Sequence, residues 1–438
     1  MNPGAPRLVC AGCGATAPDG AALPFRCPNA GADEGDHVLT RVLDPALTRF
    51  PDGDEPNPFV RYRRLLYEYQ VARAGGMSDA DYQVLVGRLD QAVATVDGRG
   101  FRVTPFEPAP ALSDALGLGL WIKDETGNVS GSHKARHLFG IALYLEIVKA
   151  LGRAEAGAQP PLAIASCGNA ALAAAVVARA AGRELHVFIP PDADPVVVAR
   201  LAALGARTNV CHREAGVTGD PCYLAFRRAV LAGALPFCCQ GPDNGLTIDG
   251  GRTLGYEMIS RGVALDAVFI QVGGGALASS VVQAFEEARL LGAIAELPRF
   301  FAVQTDGAYP LARALSRLME RMGDPPSVPD ALRRAAAHRA DYMWPWESEP
   351  ASIAHGILDD ETYDWLAIAR GVVGSGGVAV VVSEEQLVHA HALAHAHTTI
   401  DADHTGTAGL AGLLAAVEHE PFEAGENVAV IFSGVTRS

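Results

Sequence analysis

No apolar run in this 438-residue chain approaches the ~18 residues a membrane span requires. Met1 to Arg7 also lacks the basic-then-apolar order of a signal peptide, so a cytoplasmic protein without a membrane partner is expected. Basic charge is scarce. Thirty-five Lys and Arg stand against 50 Asp and Glu, the net charge is -15, and no local Lys/Arg cluster reverses it, which argues against a nucleic-acid partner. Eight cysteines are too few and too scattered for the disulfide framework of a small secreted scaffold, so reduced thiols are expected. Internal repeats are absent, and apart from Ala richness so are low-complexity tracts. What remains is 49% apolar and 19% charged, enough for one large or two medium cores.

Residues 1–44 are rich in Gly, Pro and Ala and hold Cys10, Cys13 and Cys27, which suggests a small appendage closed by the Pro/Asp stretch Phe50 to Pro58. Arg61 to Ala72 and Ser78 to Val96 read as helices. Beyond Thr104-Pro105, short continuous apolar strands alternate with Ala/Leu-rich helices, as in Leu162–Ala165 followed by Ala170–Ala181, and Ala267–Val272 followed by Ala278–Leu290. Strands apolar on both faces belong to parallel, helix-covered sheets, so the fold class is α/β. The proline-rich stretch Gly323 to Ala351 breaks this rhythm, and its Trp344-Pro345-Trp346 reads as a surface loop packing its aromatics on a helix.

Ser130-Gly131-Ser132-His133-Lys134-Ala135-Arg136 sets one lysine among small residues just after the apolar strand Leu118 to Lys123. An amine that must condense with an aldehyde needs small neighbours that admit a planar cofactor, and pyridoxal phosphate is the cofactor that asks for this. Ser166-Cys167-Gly168-Asn169-Ala170 joins a strand to a helix, where backbone amides favour an anion such as an amino-acid carboxylate. In the same segment the Asn169 amide can bond a ring oxygen, and the alternative for it is an ordinary helix cap. Gly273-Gly274-Gly275-Ala276-Leu277 follows a buried strand and opens another helix, the arrangement that cradles a phosphate. The same letters fit a dinucleotide fingerprint, which ranks lower because that fingerprint lies on the first strand of its domain with an acidic residue ending the second strand ~20 residues on, whereas here a helix-rich half precedes the loop and Asp306 stands 31 residues after Gly275. Near the C-terminus a buried strand ends in Ser433, a neutral partner for a pyridine nitrogen and one that favours elimination over transamination.

In these motifs the chain resembles the fold-type II pyridoxal-phosphate enzymes: threonine synthase, cysteate synthase, threonine/serine dehydratase and the cysteine synthases. Ser130 to Arg136 is similar to that family's TGSFKDR, Ser166 to Ala170 to SSGNTA, Asp249 to Glu257 to EGxKTxxxE, and Ser352 to Ile357 to TIAxGI. Thr104 to Glu125, Thr405 to Leu413 and the strand before Ser433-Gly434 extend the likeness in the same order. The resemblance implies a homodimer of tryptophan synthase β-like, two-domain subunits, with residues 45–125 plus 247–438 as the large cofactor-binding domain and 126–246 as a small mobile substrate domain. It further implies Lys134 as Schiff-base lysine and α-proton base, Asn169 at the ring oxygen, Gly273 to Leu277 at the phosphate and Ser433 at the ring nitrogen. Ser132 and Ser166 to Ala170 would hold a small amino-acid substrate.

Cys10-x-x-Cys13 and Cys27 resemble the zinc-ribbon extension of some of these enzymes, although Ala30 stands where a fourth cysteine would. His37 or Asp36 is then the candidate fourth ligand of a structural zinc. His389, His391, His395 and His397 read as a solvated helix face rather than a metal site. His133 replaces the aromatic before the lysine, Ala135 the acid after it, and Ala170 a usual Thr, while Arg136 and Lys123 remain as possible anion contacts. With the hydroxyls thinned, β-elimination or β-replacement on an amino acid with a hydroxyl or activated leaving group is expected. Threonine synthase acting on O-phosphohomoserine is the alternative, and a non-catalytic binding protein of the same fold a second.

Overall fold

The computed structural model of the protein describes residues 6–436 apart from 19, 32, 154–158, 215, 324–326, 420, 421 and 424. Most of Met1 to Arg7, and Pro325 and Pro326 of the proline-rich stretch, therefore fall outside the described residues. Strands β1 (Arg7–Cys10) and β2 (Leu39–Val42) pair antiparallel as a ribbon. They are followed by β3 (Phe106–Pro108), β4 (Gly119–Asp124), β5 (Leu162–Ala165), β6 (Leu185–Ile189), β7 (Arg207–Val210) and β8 (Leu235–Pro236). The last four are β9 (Ala267–Gln271), β10 (Arg299–Thr305), β11 (Ala379–Val382) and β12 (Asn427–Phe432). Two larger sheets result, ordered β11-β10-β9-β12-β4-β3 and β7-β6-β5-β8. All their pairings are parallel except that of β3 with β4.

β9 is buried at every position, as its apolar run Ala267–Ile270 requires of a strand covered on both faces. In the larger sheet Val430 lies beside both Ile122 and Phe269, so β4, β9 and β12 end at one edge. That register brings together the segments that follow each strand, namely the lysine run, the glycine loop and Ser433. Carboxyl ends of parallel strands are where α/β sheets bind ligands.

One expected helix is divided. Instead of a continuous helix over 61–72, the chain forms Pro58–Arg61, a single 3₁₀ turn at Arg63–Leu65 and Tyr67–Ala74, because Leu66 is extended at φ -96°, ψ 139°. The break serves a buried contact, in which the Tyr67 amide donates to the Asp249 carboxylate at 2.5 Å. Close helix packing explains Gly250, since a Cβ there would fall onto the Arg136 carbonyl of the helix Lys134–Ala150. Trp344 and Trp346 do pack on a helix: both lie against the guanidinium of Arg313, with centroid distances of 3.7 and 5.0 Å. No helix among the described residues is long and apolar enough to cross a membrane.

Candidate active site

Lys134 is the first residue of its helix and is half-buried. The turn that launches it is strained: Ser130 takes φ 58° and Gly131 φ 65°, and Ser130 is the one non-glycine described in the left-handed region. A bridge between Ser132 and Gly434, and the His133 amide donating to the Ser433 carbonyl at 3.1 Å, tie the lysine run to the end of β12. His133 Nδ1 lies 3.1 Å from the same carbonyl, so Nδ1 carries the proton. Burial first, then the charge of Lys134, holds His133 well below the ordinary imidazole range, and the same two causes bring His137 down to about 3. Both rings beside the lysine are therefore neutral at physiological pH.

Ser433 is oriented by a residue the sequence did not single out. Gln271, at the end of β9, donates from Nε2 to Ser433 Oγ at 2.7 Å, and its Nε2 also lies 3.0 Å from the Ile431 and Gly406 carbonyls. With its oxygen accepting from Gln271, the serine hydroxyl keeps its proton to donate elsewhere. Asn169 is not a helix cap. Gly168 holds the cap position of the helix Asn169–Ala180, and a Cβ on Gly434 would meet Asn169 Nδ2 at 2.7 Å, so the amide reaches across to the end of β12. In front of Gly168 a Cβ would meet nothing within 4 Å. Cys167 is exposed, while Ser166, Gly168 and Asn169 are half-buried, so this loop is open to solvent, and Ala170 is buried behind it.

Gly275, at φ 98°, caps the helix Ala276–Leu290, whose first amides, those of Ala276 and Leu277, have no partner within the helix. The segment 359–364 wraps this loop. Thr362 Oγ1 donates to the Gly273 carbonyl at 3.0 Å, the Asp364 amide to that of Gly274 at 3.3 Å, and the Gly274 amide donates to Asp359 Oδ2 at 2.7 Å. A carboxyl oxygen thus already accepts a hydrogen bond from one amide of the predicted phosphate loop. The side chains of Ser132 and His133 each present a buried polar atom without a hydrogen-bond partner, namely Oγ and Nε2. Leaving such atoms unpaired costs about 1–3 kcal/mol each. A polar ligand beside Lys134 would pair them, so the residues present fit the cofactor.

The expectation that Arg136 and Lys123 serve as anion contacts is overturned. Arg136 forms paired bonds to Glu125 at 2.8 and 2.9 Å and to Glu257 at 2.6 and 2.9 Å, and Lys123 Nζ donates to Glu257. All four side chains are at most 1% exposed, so these cations are sealed in the core.

In the appendage, Cys10, Cys13, Cys27 and His37 converge, their ligand atoms all within 4.8 Å of one another. Cys13 and Cys27 sulfurs stand 3.6 Å apart, as do Cys10 Sγ and His37 Nδ1. A tetrahedron with Zn–S of about 2.3 Å sets its sulfurs about 3.8 Å apart, so the donor set fits zinc. His37 Nε2 bonds Asp33 at 2.8 Å, leaving Nδ1 for a metal, whereas Asp36 is buried against Arg339. The other histidines do not converge in this way. His391 stacks on His404 at 4.0 Å and His395 Nε2 meets the Ala402 carbonyl, while no metal-sized group that includes them occurs among the described residues.

A lysine heading a helix at the carboxyl edge of a parallel sheet, faced by a glycine-rich anion loop and a strand-end serine, defines a pyridoxal-phosphate enzyme of fold type II. The chain belongs to the pyridoxal-phosphate dependent enzyme family, which matches residues 99–434. Among curated proteins it is similar to the threonine synthase of Methanocaldococcus jannaschii, 23% identical over 76% of this chain and 74% of that one. The threonine synthase of Mycobacterium tuberculosis is 26% identical over 76% of this chain and 80% of its own. Among solved structures, maize serine racemase superposes with a TM-score of 0.60 at 18% identity, covering 81% of this chain and 94% of that one. A T.th. threonine deaminase gives 0.57 at 25% identity, covering 80% and 98%.

Proposed function

We propose that the protein catalyses β-elimination or β-replacement on a small α-amino acid bearing a hydroxyl or an activated leaving group. Bound pyridoxal phosphate supplies the electron sink that acidifies the substrate Cα. Lys134 Nζ takes the Cα proton, and the amides of the Ser166 to Ala170 loop receive the carboxylate. Ser433, with Gln271 on its oxygen, would hold the ring nitrogen by a hydrogen bond from its neutral hydroxyl, a partner that favours elimination over transamination. The observation that carries this reading is the distribution of charge. Lys123 and Arg136 are locked onto Glu125 and Glu257, while the exposed thiol of Cys167, in the substrate loop, feels the negative charge of Asp192 and Asp220. Carboxylates around that thiol disfavour a phosphorylated side chain.

A second reading, threonine synthase acting on O-phosphohomoserine, is favoured by the names of the curated relatives. Offering the holoenzyme serine, threonine, phosphoserine and phosphohomoserine separates the two. Keto acid released from serine or threonine is expected, whereas turnover confined to phosphohomoserine, with phosphate release, would overturn the first reading.

Zinc in the appendage is the structural part of this proposal, and the Asp33–His37 bond gives it a graded test. Asp33→Ala, which removes the carboxylate orienting the histidine, should weaken zinc about 10–100-fold in competition with a chromogenic chelator. Cys10→Ser should lose stoichiometric metal by elemental analysis. Wild-type chain purified without zinc, and unable to take it up, would refute the assignment.

A further inference from the structure

Asp359 does something the proposed chemistry has no use for. Its carboxylate occupies the glycine loop, with Oδ2 2.7 Å from the Gly274 amide and Oδ1 near the same residue. The ring of Tyr363 flanks Gly274 as well. Two charged groups act on Asp359, Lys134 favouring its ionised form and Asp220 opposing it, while burial, the largest influence, also opposes ionisation. The carboxylate is therefore held where its desolvation is costly, by the lysine and by an amide that a phosphate would also claim. One amide proton cannot serve both anions, and a phosphate dianion against a carboxylate is repulsive. The backbone around Asp359 has its own anchors on the loop, Thr362 on the Gly273 carbonyl and the Asp364 amide on that of Gly274, so the side chain can swing away with the strap in place.

We propose that Asp359 is a built-in competitor for the phosphate cradle: its carboxylate holds the Gly274 amide until a phosphorylated ligand displaces it, and so sets the affinity of the site for the phosphate group. This rests on the reading that the loop Gly273 to Leu277 binds the cofactor phosphate. It departs from a buttress, in which Asp359 would stiffen the loop and its removal would weaken binding.

The test compares wild type, Asp359→Ala and the near-isosteric Asp359→Asn as full-length apoprotein. Pyridoxal 5'-phosphate and unphosphorylated pyridoxal are titrated by tryptophan fluorescence, and inorganic phosphate by competition. Removing one charge-assisted bond from the competing state should lower the dissociation constants for pyridoxal phosphate and phosphate about tenfold in Asp359→Ala. Pyridoxal should bind as in wild type, and Asp359→Asn should move in the same direction as Asp359→Ala. Wild type binding the phosphorylated ligands with either variant no tighter, or an equal gain for pyridoxal, overturns the inference alone. If none of the three proteins discriminates pyridoxal phosphate from pyridoxal, the phosphate-loop reading falls and this inference with it.

Discussion

Lys134→Ala should leave a folded protein that no longer holds pyridoxal phosphate covalently and whose turnover falls about a thousandfold or more, the scale of losing both a nucleophile and a positioned base. Borohydride reduction followed by mass spectrometry of the intact chain reads the first effect directly, since wild type gains the reduced cofactor and the variant does not. The fold should survive for a specific reason. Lys134 opens a helix, where a cation opposes the helix dipole, and alanine is the best helix former, so circular dichroism and the thermal midpoint should stay level or rise slightly. A variant that still carries reducible cofactor would remove Lys134 from the chemistry altogether.

Composition bears on that assignment more than the local motif does. The chain has only three lysines among its 35 basic residues, a count legible in the amino-acid sequence by itself. Lys123 is fully buried and paired with Glu257, and Lys149 is an exposed residue in the last turn of the helix Lys134–Ala150, which leaves Lys134 as the half-buried lysine at the carboxyl edge of the sheet. The alternation of apolar strands and helices likewise announced the parallel sheets, because burial on both faces writes itself into adjacent residues. What stayed illegible depends on distant partners. Gln271 orients Ser433 from 162 positions away, and Asp359 reaches a glycine 85 positions earlier. No local pattern marks either. Arg136 shows the converse failure, for its charge and its place beside Lys134 suggested an anion contact, whereas its counter-ion Glu257 lies 121 positions further along. The helix expected over 61–72 failed for the same reason, since the extended Leu66 answers to Asp249, a residue of another helix.

Arg136→Met should destabilise the protein by about 3–5 kcal/mol, the range found when one partner of a buried ion pair is removed. The buried set is balanced, with Lys123 and Arg136 against Glu125 and Glu257, and the single hydroxyl proton of Thr104 shared between the two carboxylates, at 2.5 Å from Glu125 and 3.1 Å from Glu257. Although burial alone would raise the Glu257 carboxyl, Arg136 and then Lys123 hold it below its usual range, so it is ionised in the folded protein. Methionine matches the arginine stem in bulk but leaves two carboxylates sharing one ammonium in the core. Neutralising Glu257 as well restores the balance, with Lys123 and Glu125 remaining 3.9 Å apart. Arg136→Met/Glu257→Gln should therefore recover a substantial part of the loss, and the double-mutant cycle, read from urea midpoints or from the half-life at fixed temperature if unfolding proves irreversible, isolates the pair. Additive losses would mean the two side chains act independently. Non-additivity would mean that the helix carrying Lys134 is fixed against the helix Thr247–Ser260 by charge complementarity, two residues beyond that lysine.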